Sequence, residues 1–504
     1  MLALAGLLVG CGQMSSQGTT TDAVHPAGPS TPTFVRPTPP ERRRVVVTVV
    51  DGDTGVRVAG ASVSIGPLAD RANPKGNAEL LLRRFAPLVV SVRARGYAER
   101  ELRMPFQHQR RVVVRVYRPR SQWPMYGATL ARTQTHPTIR VRPPFRVVWS
   151  RGLGSLIEFP AVVSDGVAYL GNSRGTVRAL SMRDGTVVWR HDTRHGKMAA
   201  SPAVVGGDLV VHGMDGIVRV LDRRSGRLRF AYHVGSPIES SPLVRDRIDY
   251  FGAWNGNVYA LDLRTRRLRW TYRSGYKVTS SAAIAGRTLY IGDYGGRLLA
   301  LAPGSGRLRW SAGVNGRIYG TPAVWGGRVF VPSSDGGSLT AFTTRGRYLW
   351  RVHTGGYVYS SPAVWDGRVY FGSYNGRLYS VSARTGSLHW SVETGGPVSG
   401  SPVVVDGVAY AGSFSHRIVG VDGRSGRVVL RFPHGEYVPV SGSGGRLLLH
   451  GYSRVYAVEP LRARSQRPVR LTAGRAARAA GTVPGRAVSA VRSTARTTRP
   501  PATP

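Results

Sequence analysis

Ser361–Thr394 reads SPAVWDGRVYFGSYNGRLYSVSARTGSLHWSVET, and it is one copy of a unit about forty residues long. Its segments alternate with period two, as in Arg368-Val369-Tyr370-Phe371-Gly372 and Leu378-Tyr379-Ser380-Val381, whereas a helix would place its apolar residues three and four apart. Asn375-Gly376 and Thr385-Gly386 separate the segments and suit tight turns, because both pairs tolerate a positive φ. The unit therefore predicts four short strands, the last carrying Trp390.

The same aromatic position recurs at Trp149, Trp189, Phe230, Trp270, Trp310, Trp350 and Trp390, with Leu430 next, in steps of forty or forty-one. Pro160, Pro202, Pro242, Pro322, Pro362 and Pro402 share a second phase, where Ala282 substitutes once. Four antiparallel strands repeating at this period predict a β-propeller rather than an open solenoid, which would leave an unpaired edge at each end. Closure is encoded too. Seven complete units run from Pro160 to Leu430, Val438 to Val458 supplies three more strands, and Arg146-Val147-Val148-Trp149 offers the missing fourth. The expectation is all-β: an eight-bladed propeller with its last blade stitched from both ends.

The pattern DG-x-VY-x-GS, G-x-L-x-A-L, TG-x-L-x-W resembles pyrroloquinoline-quinone-type propeller repeats. Over residues 121 to 460 it resembles the non-catalytic branch represented by outer-membrane protein assembly factor B. The prelude Gln122-Trp123-Pro124-Met125-Tyr126-Gly127 through Arg132-Thr133 looks like the segment before the first blade in such proteins. The resemblance implies the fold and, more loosely, assistance in assembling envelope proteins.

Five segments are expected. Residues 1–11 end in Leu8-Val9-Gly10-Cys11, which resembles a lipoprotein signal with Cys11 as the lipidation site, although a basic n-region is missing. Cys11 is the chain's only cysteine, so no disulfide framework or thiolate cage forms within one copy. Residues 12–42, rich in Ser, Thr, Pro and Gly, read as a disordered linker. Residues 43–118 predict a small β-sandwich with strands at Val45–Val50, Ala61–Ile65, Ala78–Leu82, Leu88–Ala94 and Val112–Tyr117. Through TG-x-x-x-x-GA-x-V and A-x-GY this segment resembles the carboxypeptidase regulatory-like, transthyretin-like domain, usually an accessory spacer or binding module. Residues 119–460 are the propeller. Residues 461–504 hold many arginines and no acid, the composition of a disordered tail.

Seventy basic residues against twenty-seven acidic give +43, with Lys75, Lys197 and Lys277 the only lysines. The excess is spread along the chain, so it reads first as a compositional habit and second as attraction to anionic polymer or lipid; it is not the single basic patch of a specific nucleic-acid binder.

In a propeller, the loops from strand four to the next blade share a face with the turns between strands two and three. Those segments carry Trp254, Tyr276, Lys277, Tyr294, Arg317, Tyr319, Tyr357, Tyr374, Phe414 and Tyr437, an aromatic and basic set suited to a partner surface. The bland alternative is that these rings pack between blades. Glu158, Glu239, Asp293 and Glu436 are the nearby acids and share no local motif, and His191 with His195 falls after Trp189 in what reads as a loop. No catalytic residue, metal set or cofactor is assigned. The expectation is a monomeric, extracytoplasmic, membrane-anchored scaffold binding envelope proteins or anionic cell-wall polymer. A quinone-dependent dehydrogenase and a polysaccharide adhesin are the rival readings.

Overall fold

The computed structural model describes residues 43–82, 89–104, 110–193 and 196–461. The Cys11 signal, the linker 12–42 and the tail beyond Leu461 lie outside them. The chain divides into two compact units, one up to Pro119 and one from Arg120.

In the first unit one sheet orders Asn77–Leu82, Arg43–Asp51 and Arg111–Val116, and a second orders Leu68–Arg71, Ser62–Ile65, Val89–Arg93 and Arg100–Arg103. Alternation makes the sandwich: Val45, Val47 and Val49 are buried against Val63, Ile65, Val90 and Val92, while Arg44 points outward. Leu68–Arg71 and Arg100–Arg103 were not expected as strands. Both lie at sheet edges and are largely exposed, so they show no apolar alternation, and pairing with a neighbour's backbone alone makes them strands.

The second unit is an eight-bladed propeller. Its first blade comprises Val162–Ser164, Val167–Gly171, Thr176–Ser181 and Val187–Asp192, and six more blades follow in order to Val428–Phe432. The eighth joins Val440–Ser443, Arg446–His450 and Arg454–Pro460 to Phe145–Gly152, antiparallel, with Ala457 opposite Trp149. The closing strand is thus the expected one, longer by a few residues at its ends. His191 lies inside the strand Val187–Asp192 rather than in a loop; His195 lies outside the described residues.

The L-x-W spacing has a mechanical cause. In every blade a bulge interrupts the ladder between strands three and four: Ala260 faces Trp270, Leu261 faces Leu268, and the residue between is skipped. The indole then reaches the next blade. Trp149, Trp189 and Trp270 donate Nε1–H to the carbonyls of Met182, Arg223 and Pro303 at 2.8–3.0 Å, and each ring lies on a turn glycine there, Gly185, Gly226 and Gly306. Phe230 lacks the indole donor, and the facing turn carries Arg266, whose guanidinium lies 5.2 Å from the Phe230 ring centre.

The prelude closes one end of the channel. Carbonyls of Trp123, Pro124, Leu130, Ala131, Thr133 and Gln134 accept the N–H groups of Val163, Val204, Ile284, Val324, Val364 and Val404, one from the first strand of each of six blades. Winding so tightly requires left-handed backbone at Gly127, Ala128, Arg132 and Gln134. Arg132 is fully buried, and its guanidinium donates to the carbonyls of Tyr126, Pro242 (2.8 Å) and Ala282 (2.9 Å). Burial lowers its pKa to about 10.

Candidate functional site

The repeat itself builds the mouth of the channel. Ser or Thr before the proline position of blades two to seven forms a chain of hydrogen bonds: the N–H groups of Ser201, Ser241, Thr321 and Ser361 donate to the hydroxyls of Ser241, Ser281, Ser361 and Ser401 at 2.8–3.1 Å. Tyr126 of the prelude places its hydroxyl against Ser361 Oγ (3.1 Å) and Ser401 Oγ (2.9 Å). Two residues further toward the opening, one side chain per blade lines a cavity with about 500 Å³ of space open to solvent: Glu239, Thr279, Tyr319, Tyr359 and Ser399. Glu158, Phe159 and Tyr437 complete its wall.

A second repeated bond sets the rim. The N–H after strand two donates to the carbonyl seventeen residues earlier on the preceding interblade loop: Trp254 to Pro237 (3.0 Å), Tyr294 to Lys277 (2.9 Å), Tyr374 to Tyr357 (2.9 Å) and Phe414 to Pro397 (3.0 Å). Neighbouring loops are thereby stitched in fixed register, and side chains at that spacing must meet.

They meet in two groups. Tyr319 touches Tyr359 (5.6 Å between ring centres), Tyr359 touches Tyr357 (6.0 Å) and Tyr374 (5.0 Å), Tyr374 touches Phe414 (5.6 Å), and Phe414 touches Tyr437 (5.8 Å). Most of these contacts are edge-to-face, the arrangement the ring quadrupole favours. In the other group Lys277 Nζ lies 3.2 Å from the centre of the Trp254 ring and 5.0 Å from that of Tyr294, with Arg317 6.0 Å from Tyr294. Desolvation lowers the Lys277 pKa. Glu239 joins the groups by accepting from Tyr319 Oη (2.6 Å) and Trp254 Nε1 (3.0 Å). Tyr276 stands apart, 54% exposed, with the Arg297 guanidinium over its ring.

These rings do not fill the spaces between blades, which the strand-four tryptophans occupy. Tyr357 is 50% and Trp254 38% exposed. The central ring of the larger group, Tyr359, was missed from the sequence, although it shares the repeat phase of Tyr319. Of the four acids, Glu158 and Glu239 share the cavity. Asp293 is fully buried against Arg297 (2.9 Å), and Glu436 pairs with His416 (3.4 Å). Burial raises the carboxyl pKa of Glu158 and of Glu436.

The lining does not fit a polycarboxylate quinone with its metal ion. Among the described residues its charged side chains are Glu158 and Glu239, which repel carboxylates, and no group of three or more His, Cys, Asp or Glu is placed to hold a metal.

The sequence profile of outer membrane protein assembly factor BamB matches residues 145–249 and 254–460, more than half of the chain. BamB of Yersinia pestis is 27% identical over 127 residues, 22% of this chain and 32% of that protein, so the chain spans about a third of the length of this curated relative. The solved structure of BamB from Moraxella catarrhalis superposes with a TM-score of 0.54 at 18% identity, covering 65% of this chain and 100% of that one. Quinohemoprotein alcohol dehydrogenase from Comamonas testosteroni superposes with a TM-score of 0.60 at 15% identity, covering 70% and 83%. At such identities the superpositions speak for the propeller fold alone. By the profile match, the chain belongs to the family of outer membrane protein assembly factor BamB.

Proposed function

We propose that the chain is a non-catalytic scaffold of the cell envelope, tethered to a membrane through lipid on Cys11, which holds an extended segment of an envelope protein against its aromatic rim. The observation that carries the reading is the continuous ring contact from Tyr319 to Tyr437 on one face. Rings held by one another have already lost their rotamer freedom, so a partner that covers them meets a low entropic cost. The family's name adds weight, since its members are called assembly factors of outer membrane proteins. The acidic lining supports binding over quinone-dependent turnover.

The test is site-specific photocrosslinking from position 357 in the protein's own envelope, with and without the added substitutions Tyr374→Ala and Phe414→Ala. Under this reading a discrete crosslinked envelope protein disappears when Tyr374→Ala and Phe414→Ala are added, while the melting temperature stays near that of the unsubstituted chain. Saturable binding of pyrroloquinoline quinone with calcium, accompanied by dye-linked alcohol oxidation, would overturn it.

A further inference from the structure

We propose that the cavity at the channel mouth binds an organic cation, an alkylammonium or guanidinium group, between Glu158 and Glu239. This site goes beyond the rim reading and does not depend on it. In a chain carrying seventy basic residues, no Arg or Lys among the described residues lines the cavity, and both charged lining residues are acids. Much of the remaining wall is aromatic, from Tyr126, Phe159, Tyr319, Tyr359 and Tyr437. Carboxylates set among ring faces suit a weakly hydrated cation, which gains both Coulomb attraction and the ring quadrupole when water is displaced.

The two carboxylates are differently provided for. Glu239 is held in place by Tyr319 and Trp254. Glu158 Oε2 is buried, and its counter-ion, Lys197 at 3.3 Å, stands at the exposed edge with 47% of its side chain accessible. Burial and the neighbouring Glu239 charge raise the Glu158 pKa, a penalty that a cation between them would relieve.

Thr279 is an independent sign. It lines the same cavity and is 4% exposed, and its Oγ1, beside the Tyr294 hydroxyl, keeps an acceptor lone pair free. An ammonium or guanidinium N–H is a donor that this buried oxygen can accept from. A hard divalent ion is a poorer occupant, because it needs six or more oxygens and two carboxylates supply too few.

The experiment is isothermal titration of the full chain with n-butylguanidinium, with the neutral isostere n-butylurea, and with a short end-blocked peptide bearing one arginine. Saturable binding of n-butylguanidinium but not n-butylurea is expected, about tenfold weaker or worse in Glu158→Gln, weaker also in Tyr359→Leu, and unchanged in Glu393→Gln on an outer strand. Binding should fade as the pH falls through the raised Glu158 pKa, where the carboxylate takes up its proton. Peptide binding tighter than the free guanidinium assigns the natural cation to a partner's side chain, and equal affinity assigns it to a free small molecule. Lack of saturation with both cationic probes, or undiminished binding in a folded Glu158→Gln, overturns the site. Neither result bears on crosslinks from position 357, so the two readings fail separately.

Discussion

Tyr319 and Glu239, eighty residues apart in the chain, are joined across the channel mouth by a 2.6 Å hydrogen bond from the phenol to the carboxylate. Burial and the nearby carboxylates raise the Tyr319 pKa well above its ordinary value, so it stays a donor across the accessible pH range. Tyr319→Phe removes one of two donors to Glu239. It should cost about 1.5–3 kcal/mol, the range for a hydrogen bond to a charged group, read as a lower denaturation midpoint with an unchanged slope. An unchanged midpoint would mean that water replaces the phenol at no cost.

The tryptophan–glycine contacts between blades set a second test. At Gly386 φ is +77°, and an added Cβ would stand 2.8 Å from the Trp350 ring; at Gly286 φ is +57° with open space around. Gly286→Ala should therefore cost about 1–2 kcal/mol from backbone strain alone, and Gly386→Ala about 1–3 kcal/mol more from overpacking. Equal losses in chemical denaturation would show that the indole yields freely.

His450 ties the stitched blade to the first. It is buried, its Nε2 accepts from Ala161 N–H at 3.1 Å, and burial pushes its pKa down to about 4. The unfolded chain takes up this proton near pH 6.5 and the folded one does not. Its contribution is thus complete above about pH 6.5 and declines to about pH 4, by on the order of 3 kcal/mol. His450→Gln should lose less stability than the parent over this window, measured by denaturation at stepped pH.

Glu158 has the opposite sign. Its folded pKa is raised, so the folded state holds the proton more tightly, and stability falls as pH rises above the ordinary carboxylate value toward the folded one. Glu158→Gln should abolish that decline and raise the melting temperature at neutral pH. A melting temperature below the parent's would mean that the Lys197 ion pair outweighs desolvation.

Arg132→Met removes the guanidinium donors to the carbonyls of Tyr126, Pro242 and Ala282 at a fully buried site. Stranded buried acceptors cost about 1–3 kcal/mol each. The variant should unfold at markedly lower denaturant, with the prelude becoming sensitive to protease before the blades do. Simultaneous loss would mean that the prelude and blades form one cooperative unit.

Much of the propeller was legible because its determinants are local. Alternation in Arg368–Gly372, turn pairs such as Asn375-Gly376 and the forty-residue step are properties of short stretches, and the unpaired Arg146–Trp149 named its own partner by what the last repeat lacked. In the first unit Leu68–Arg71 and Arg100–Arg103 escaped because an exposed edge strand needs no apolar pattern.

Apart from Tyr359, the rings of the rim could be named from the sequence, since loop positions follow from strand positions. Their groupings could not. Lys277 beside Tyr294 and Tyr357 beside Tyr374 follow from a backbone bond seventeen residues long that exists only between packed blades. By itself the sequence determined the strands, their period and the closure, because hydrogen-bonding turns and pleated alternation act within a few residues. Only the tertiary structure decided that Glu239 meets Tyr319, that Glu158 and Glu239 face one cavity, and that Arg132 joins the carbonyls of Tyr126, Pro242 and Ala282. Those contacts depend on the number of blades and the angle between them, which bring together residues that no local pattern links.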